Sequence, residues 1–128
     1  MSEVRGVVVA HGDLARCLVE TAEGIAGVSG ALVPISNVER SPAELSSRIR
    51  EAVGGGPAIV FVDLVSGSCA HAAQSAAREG ANVSVICGVS LAILLDFMFH
   101  CDMELHELSD RLIEKGHAGT SAFLPDPR

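Results

Sequence analysis

The sequence predicts an α/β fold, a mostly parallel sheet with helices on both faces in a doubly wound three-layer sandwich. Three observations carry this expectation. Apolar runs rich in β-branched residues (Val4–Ala10, Ala58–Val62, Val83–Cys87) alternate with segments of helical spacing, and repeated strand–helix units imply parallel strands joined by right-handed crossovers. The first strand from Val7 to Ala10 and the third from Ala58 to Val62 are continuously apolar, the pattern of strands buried on both faces. Both also end in an ionisable residue followed by a turn of small residues: His11 before Gly12, and Asp63 before Ser66-Gly67-Ser68.

The elements follow in order. Val4–Ala10 reads as a central strand. After Gly12, the residues Leu14, Leu18, Thr21, Ala22 and Ile25 recur at helical spacing, and Gly27 stops the helix. Ala31–Ile35 is a short second strand. Ser41-Pro42-Ala43-Glu44 has the form of a capping box with proline at the first helical position, and Leu45, Ile49 and Val53 then share one face. Gly54-Gly55-Gly56-Pro57 ends that helix before the strand Ala58–Val62. An alanine-rich helix is expected from Ser68 or Cys69 to Glu79, closed by Gly80. Val83–Cys87 is the fourth strand, Leu91–Phe99 a short helix apolar nearly all round, and Glu104–Lys115 an amphipathic helix ending at Gly116. Thr120–Leu124 is expected as one last edge strand before the Pro125-Asp126-Pro127 tail.

At 128 residues, one domain spanning 1–128 is expected, large enough for a core without disulfides. Nine Lys and Arg against sixteen Asp and Glu give a formal charge of −7, which argues against nucleic acid as a partner because phosphate contacts need a basic patch. The longest apolar stretch, Val83–Phe99, is broken by Ser84, Gly88, Ser90 and Asp96, so no stable membrane insertion is expected. Met1-Ser2-Glu3 leads into a strand with no cleavage pattern, and the expected location is the cytoplasm, where Cys17, Cys69, Cys87 and Cys101 would stay reduced. Cys17 and Cys87 read as small core residues on apolar faces.

The chemistry lies at the strand ends. Ligands of open α/β sheets bind outside the carboxyl ends of the strands, where the strand order reverses. The pattern alone does not give that order; if the first strand lies beside the third, His11 and Asp63 become neighbours. A neutral imidazole, with an unperturbed pKa of about 6.5, is a competent nucleophile toward phosphorus when an acceptor holds its other nitrogen in one tautomer. Ser66, Gly67 and Ser68 at a helix start offer hydroxyls, backbone N–H groups and the positive end of a helix dipole to phosphoryl oxygens, and Gly12 lets the backbone approach closely. No Walker-type loop with lysine is present, and no cofactor is expected.

Three segments carry a resemblance. Gly6-Val7-Val8-Val9-Ala10-His11-Gly12 resembles the opening of the mannose-family enzyme IIA proteins of the bacterial phosphotransferase system. Val62-Asp63-Leu64-Val65-Ser66-Gly67-Ser68 is similar to that family's Asp-x-x-Gly-Gly-Ser-Pro segment, and Gly88-Val89-Ser90-Leu91-Ala92-Ile93-Leu94 to its Gly-Val-Asn-Leu-Pro-Met-Leu segment. The resemblance implies a sheet of order 2-1-3-4 with a C-terminal antiparallel edge strand exchanged in a homodimer. It also implies a phosphotransferase component that accepts a phosphoryl group from the phosphocarrier HPr and passes it to an enzyme IIB partner. By position, His11 would be phosphorylated, Asp63 its orienting carboxylate and Ser68 a phosphoryl ligand. Ser66 departs from the family's first glycine of the pair, Cys69-Ala70-His71 from Pro-Phe-Asn, and Ser90 from the asparagine; His71 and Ser90 would line the partner-docking rim.

Two other readings compete. A regulatory interaction module could keep the fold without transfer. A zinc site could be built on Cys69 and His71 beside Asp63 and His11, although residues two apart on a helix point to different sides of it. Its spacing matches no usual metal-ligand template, and no metal is the expectation.

Overall fold

The computed structural model describes residues 3–80 and 82–126; Met1-Ser2 and the end of the Pro125-Asp126-Pro127 tail lie outside the described residues. Four strands, β1 (Arg5–Ala10), β2 (Leu32–Ser36), β3 (Ala58–Val62) and β4 (Val83–Cys87), alternate with α1 (Leu14–Ala26), α2 (Pro42–Val53) and α3 (Ser68–Glu79). Two helices, α4 (Leu91–His100) and α5 (Leu105–Ala118), follow. All strand pairs are parallel, in the order β2-β1-β3-β4.

The register places Val9 opposite Val62, so β1 and β3 finish side by side. From these two adjacent strands the chain leaves to opposite faces. Val8, Ala10, Ile59 and Phe61 pack with α1, α4 and α5, while Val7, Val9, Val60 and Val62 pack with α2 and α3. Side chains alternate across a strand, so strands covered on both faces must be apolar at every position. From Val7 to Ala10 and from Ala58 to Val62 none has measurable exposure.

Local chemistry sets the helix boundaries. The capping box of α2 is formed: Glu44 N–H donates to Ser41 Oγ at 3.1 Å, and Ser41 N–H donates to Glu44 Oε1 at 2.9 Å. Pro34 lies in β2, an edge strand, where a missing N–H costs no ladder bond on the outer side. The alanines of α3 keep that helix close to the sheet: Ala70, Ala72, Ala73 and Ala76 are all buried.

Three expectations need correction. Thr120–Leu124 forms no strand in the single chain; the described sheet has four strands, and Phe123 and Leu124 stand 88% and 69% exposed. A strand needs an edge to bond to, and this segment pairs with neither edge strand of its own sheet. The last helix does not stop at Gly116 but runs to Ala118, because Gly116 is a packing glycine there. A Cβ at that position would meet Ile93 Cδ1 of α4 at 2.9 Å. Cys17 is exposed on α1 and Cys87 only half-buried, so neither is a full core residue. Phe99 of α4 is exposed, while Ile93, Leu94 and Phe97 of the same helix are buried in the core.

The α4–α5 pair is held by a charge. Asp96, almost wholly buried, receives Arg111 Nε at 2.8 Å and Nη2 at 3.0 Å. The Arg111 hydrogen bonds, helped by the nearby positive charges and opposed by burial, hold its carboxyl below the ordinary 3.8. Such a group stabilises the fold above its unfolded pKa, and that contribution is lost as pH falls through the folded value. Asp96→Asn is therefore expected to lower the urea midpoint at neutral pH, with the gap to wild type narrowing in acid below 3.8. A gap constant with pH would count against this.

Gly6 makes a second test. A Cβ there would meet Leu32 Cδ2 and Phe97 Cε2, each at 2.6 Å, and Phe97 is itself fixed edge-to-face against Phe61 with centroids 5.2 Å apart. Gly6→Ala is expected to destabilise the fold by about 1–3 kcal/mol in urea titration, the usual cost of overpacking a filled core.

Candidate functional site

Because β1 and β3 are neighbours whose connections run to opposite faces, the crevice beyond their carboxyl ends is a topological switch point. The first residue beyond β1 is His11, and the first beyond β3 is Asp63. Asp63 Oδ2 accepts from the His11 backbone N–H at 3.0 Å and lies 2.8 Å from His11 Nδ1. The other oxygen, Oδ1, accepts from Leu64 N–H at 3.0 Å.

The two partners differ in exposure: the His11 side chain is 43% exposed and that of Asp63 10%. Burial pushes the Asp63 carboxyl up, but hydrogen bonds from the His11 amide and ring outweigh it and hold the group below the ordinary aspartate value. Asp63 is thus an acceptor, and Nδ1–H is the tautomer that satisfies it. Nε2 is left with the lone pair.

The turns around the imidazole are shaped by glycine. Gly67 has φ +102°, a conformation that L side chains rarely adopt, and a Cβ built on it would lie 4.0 Å from His11 Cε1. Gly67 also precedes the first turn of α3, so Ser66, Gly67 and Ser68 are exposed beside the ring at a helix amino terminus. Gly12, with φ +58°, turns the chain after His11. Its N–H donates to Asn37 Oδ1 at 3.1 Å, and its carbonyl accepts from Ser36 Oγ at 2.7 Å.

Asn37 and Ser36 escape the sequence reading, which ends the second strand at Ile35. The available signal was a polar pair directly after an apolar strand, at the same sheet edge as His11 and Asp63. Leu14, at the first position of α1, and Val38, Leu64 and Val65 on the loops are exposed apolar residues at this same edge. Asp13 and Arg16, at the start of α1, pair with each other on the exposed face and Arg16 also with Glu20.

Of the two candidate ligands Cys69 and His71, Cys69 lies close to the imidazole. It is fully buried in the first turn of α3, with Sγ 3.8 Å from His11 Nδ1. Burial, then the Asp63 charge, push its thiol up, with Ser68 pulling weakly the other way. Neither rim residue belongs to the group formed by His11, Asp63 and Cys69. His71 is exposed and lines a cleft of about 310 Å³ between α2 and α3, with Pro42, Ser46, Arg50 and Ser75. Ser90 caps α4, its hydroxyl accepting from Ile93 N–H at 3.2 Å. A cluster joining Cys69 to His71 is therefore not what the fold assembles; among the described residues, His11, Asp63 and Cys69 converge instead.

Known proteins can now be compared with this geometry. The solved structures that resemble the chain include a phosphotransferase system component EIIA from Streptococcus agalactiae, with TM-score 0.86 and 22% identity over 93% of this chain and 96% of that one. A mannose/sorbose-specific IIA subunit from Enterococcus faecalis has TM-score 0.83 and 19% identity over 99% of this chain and 100% of that one. The PTS IIA protein associated with the fucose utilization operon of Streptococcus pneumoniae has TM-score 0.75 and 18% identity, covering 94% of each chain. At these identities the likeness is one of fold. Among curated proteins the sequence finds no match. The family model EIIA-man, described as the PTS system fructose IIA component, matches residues 6–113. A match over most of the sequence, on a fold shared with EIIA structures, makes this chain a member of the EIIA-man family of the phosphotransferase system.

Proposed function

We propose that this chain is a phosphoryl carrier that accepts a phosphoryl group on His11 from a phospho-HPr-type protein and passes it to an enzyme IIB partner. The observation that carries the reading is the double use of Asp63 Oδ2, by the backbone N–H and by Nδ1 of His11. One oxygen fixes both the position of the residue and the tautomer of its ring.

In the transfer, the Nε2 lone pair attacks phosphorus while the P–N bond to the donor imidazole breaks, and the donor takes back that electron pair. The Nδ1 proton stays on His11. The Asp63 charge offsets the positive charge that develops on the ring as Nε2 is phosphorylated, which lowers the barrier in both directions. Phosphoryl transfer depends mostly on positioning and on donors to the equatorial oxygens. Ser68 Oγ, Ser66 Oγ and the backbone of Gly67 at the amino end of α3 supply those donors, with the helix dipole favouring the anion. Gly12 keeps the facing turn low. The exposed Leu14, Val38, Leu64 and Val65 give partner proteins an apolar rim to dock on, with Ser90 and His71 farther out.

We take 1–128 as one domain and the cytoplasm as its location, where such donors and acceptors meet; no described helix is long and apolar enough to cross a membrane. A homodimer belongs to the same reading. The exposed Thr120–Leu124 segment would add to the β4 edge of a second copy, burying Phe123 and Leu124. Removing residues from Thr120 onward is expected to convert a dimer to a monomer in sedimentation velocity, and a full-length chain that already sediments as a monomer refutes the exchange.

The carrier role is tested with labelled phosphoenolpyruvate, enzyme I and HPr. Wild type is expected to take up acid-labile, base-stable label, and His11→Ala none. Asp63→Asn is expected to slow labelling by roughly 10²–10⁴-fold, the range that orienting and charge-compensating such a histidine is worth. An amide there cannot accept from the His11 amide, the imidazole and the Leu64 amide together. A folded wild type that takes no label overturns the carrier role.

A further inference from the structure

We propose that His11, Asp63 and Cys69 form a binding site for a zinc-class divalent cation, and that this cation and the phosphoryl group exclude each other. The site is new relative to the carrier reading, and only its inhibitory consequence rests on that reading.

The cluster brings together the three ligand types zinc prefers. Among the described residues, Nδ1 of His11, a carboxylate oxygen of Asp63 and Sγ of Cys69 all lie within 4.8 Å of one another. Zinc–ligand bonds of about 2.0–2.3 Å in tetrahedral geometry place ligand atoms about 3.3–3.7 Å apart. The Nδ1–Sγ separation is already 3.8 Å. The Nδ1–Oδ2 separation, 2.8 Å, must open by roughly half an ångström, a small rotation of the half-exposed imidazole. Asp63 and Cys69 are held from separate elements, the end of β3 and the first turn of α3, so two of the three ligands are fixed before any ion arrives. Three protein ligands leave the fourth tetrahedral position open, as in a catalytic zinc site.

Binding rearranges two protons. The Cys69 thiol loses its proton to solvent as the S–metal bond forms. The imidazole proton leaves Nδ1, which now donates its lone pair to the metal, and Nε2 takes up a proton instead. Nε2–H has no lone pair for phosphorus. The cation thus acts on the nucleophile through its tautomer, from the buried side, while leaving the docking face uncovered.

Cobalt(II) is the probe, because a thiolate ligand gives it a charge-transfer absorption that histidine and carboxylate alone do not. The full-length chain is expected to bind one Co²⁺ with that band, Zn²⁺ to abolish it by displacement, and Cys69→Ala to lack it. Zn²⁺ is expected to block labelling of wild type by phospho-HPr and to leave Cys69→Ala labelled at its metal-free rate. Cys69→Ser, closer in volume, serves in its place should the alanine variant fail to fold. Absence of the band in wild type, its persistence in the Cys69 variant, or equal slowing of both proteins by Zn²⁺ overturns the proposal. A wild type that never takes label but shows the cobalt band defeats the carrier reading and leaves the metal site standing.

Discussion

Asp63 Oδ2 receives two N–H groups from a single residue, and much of the carboxyl edge is arranged around that oxygen. The contact requires β1 and β3 to be adjacent and in the register that places Val9 against Val62. A shift of one residue would move every side chain of β1 to the opposite face and carry the imidazole away with it. The two faces are packed by different partners, Val8 and Ala10 against α1, α4 and α5 and Val7 and Val9 against α2 and α3, and a shift would mismatch both. Packing on two faces therefore fixes a hydrogen bond at the end of the sheet.

The same edge divides work between rigid and accommodating parts. Asp63 is anchored by three donors and stays below its ordinary pKa against the cost of burial. The imidazole it holds is open to solvent, and the turns facing it are built from Gly12 and Gly67 in conformations that side chains rarely adopt. A mostly buried carboxylate beneath an exposed imidazole keeps the ring oriented while leaving its outer nitrogen open to solvent.

Much of this is legible in the sequence because the signals are local. The capping box at Ser41–Glu44, the paired apolar runs and the glycine stops each reflect a few neighbouring residues, and the helices and strands fall close to where those signals place them. His11 and Asp63 are legible as strand termini, but their contact depends on strand order, which no local pattern encodes; the family resemblance supplies it. The remainder depends on tertiary approach. Cys69 reads as a candidate ligand paired with His71, and its distance from His11 follows from how closely the alanines of α3 seat that helix on the sheet. Gly116 reads as a helix stop, and only the proximity of Ile93 shows why a glycine belongs inside α5. Asn37 follows a strand whose end is read one residue early, and its bond to Gly12 crosses between two loops.

Pro34 has an effect beyond its own strand. Both margins of a four-stranded open sheet present backbone groups on which another chain could template itself. On the β2 margin proline removes an N–H and its ring obstructs an incoming strand, so that side is a poor template. The β4 margin carries no proline. A sheet with one permissive margin offers a single place for strand addition. One imino acid, on the far side of the sheet from the permissive margin, thus directs strand addition to β4.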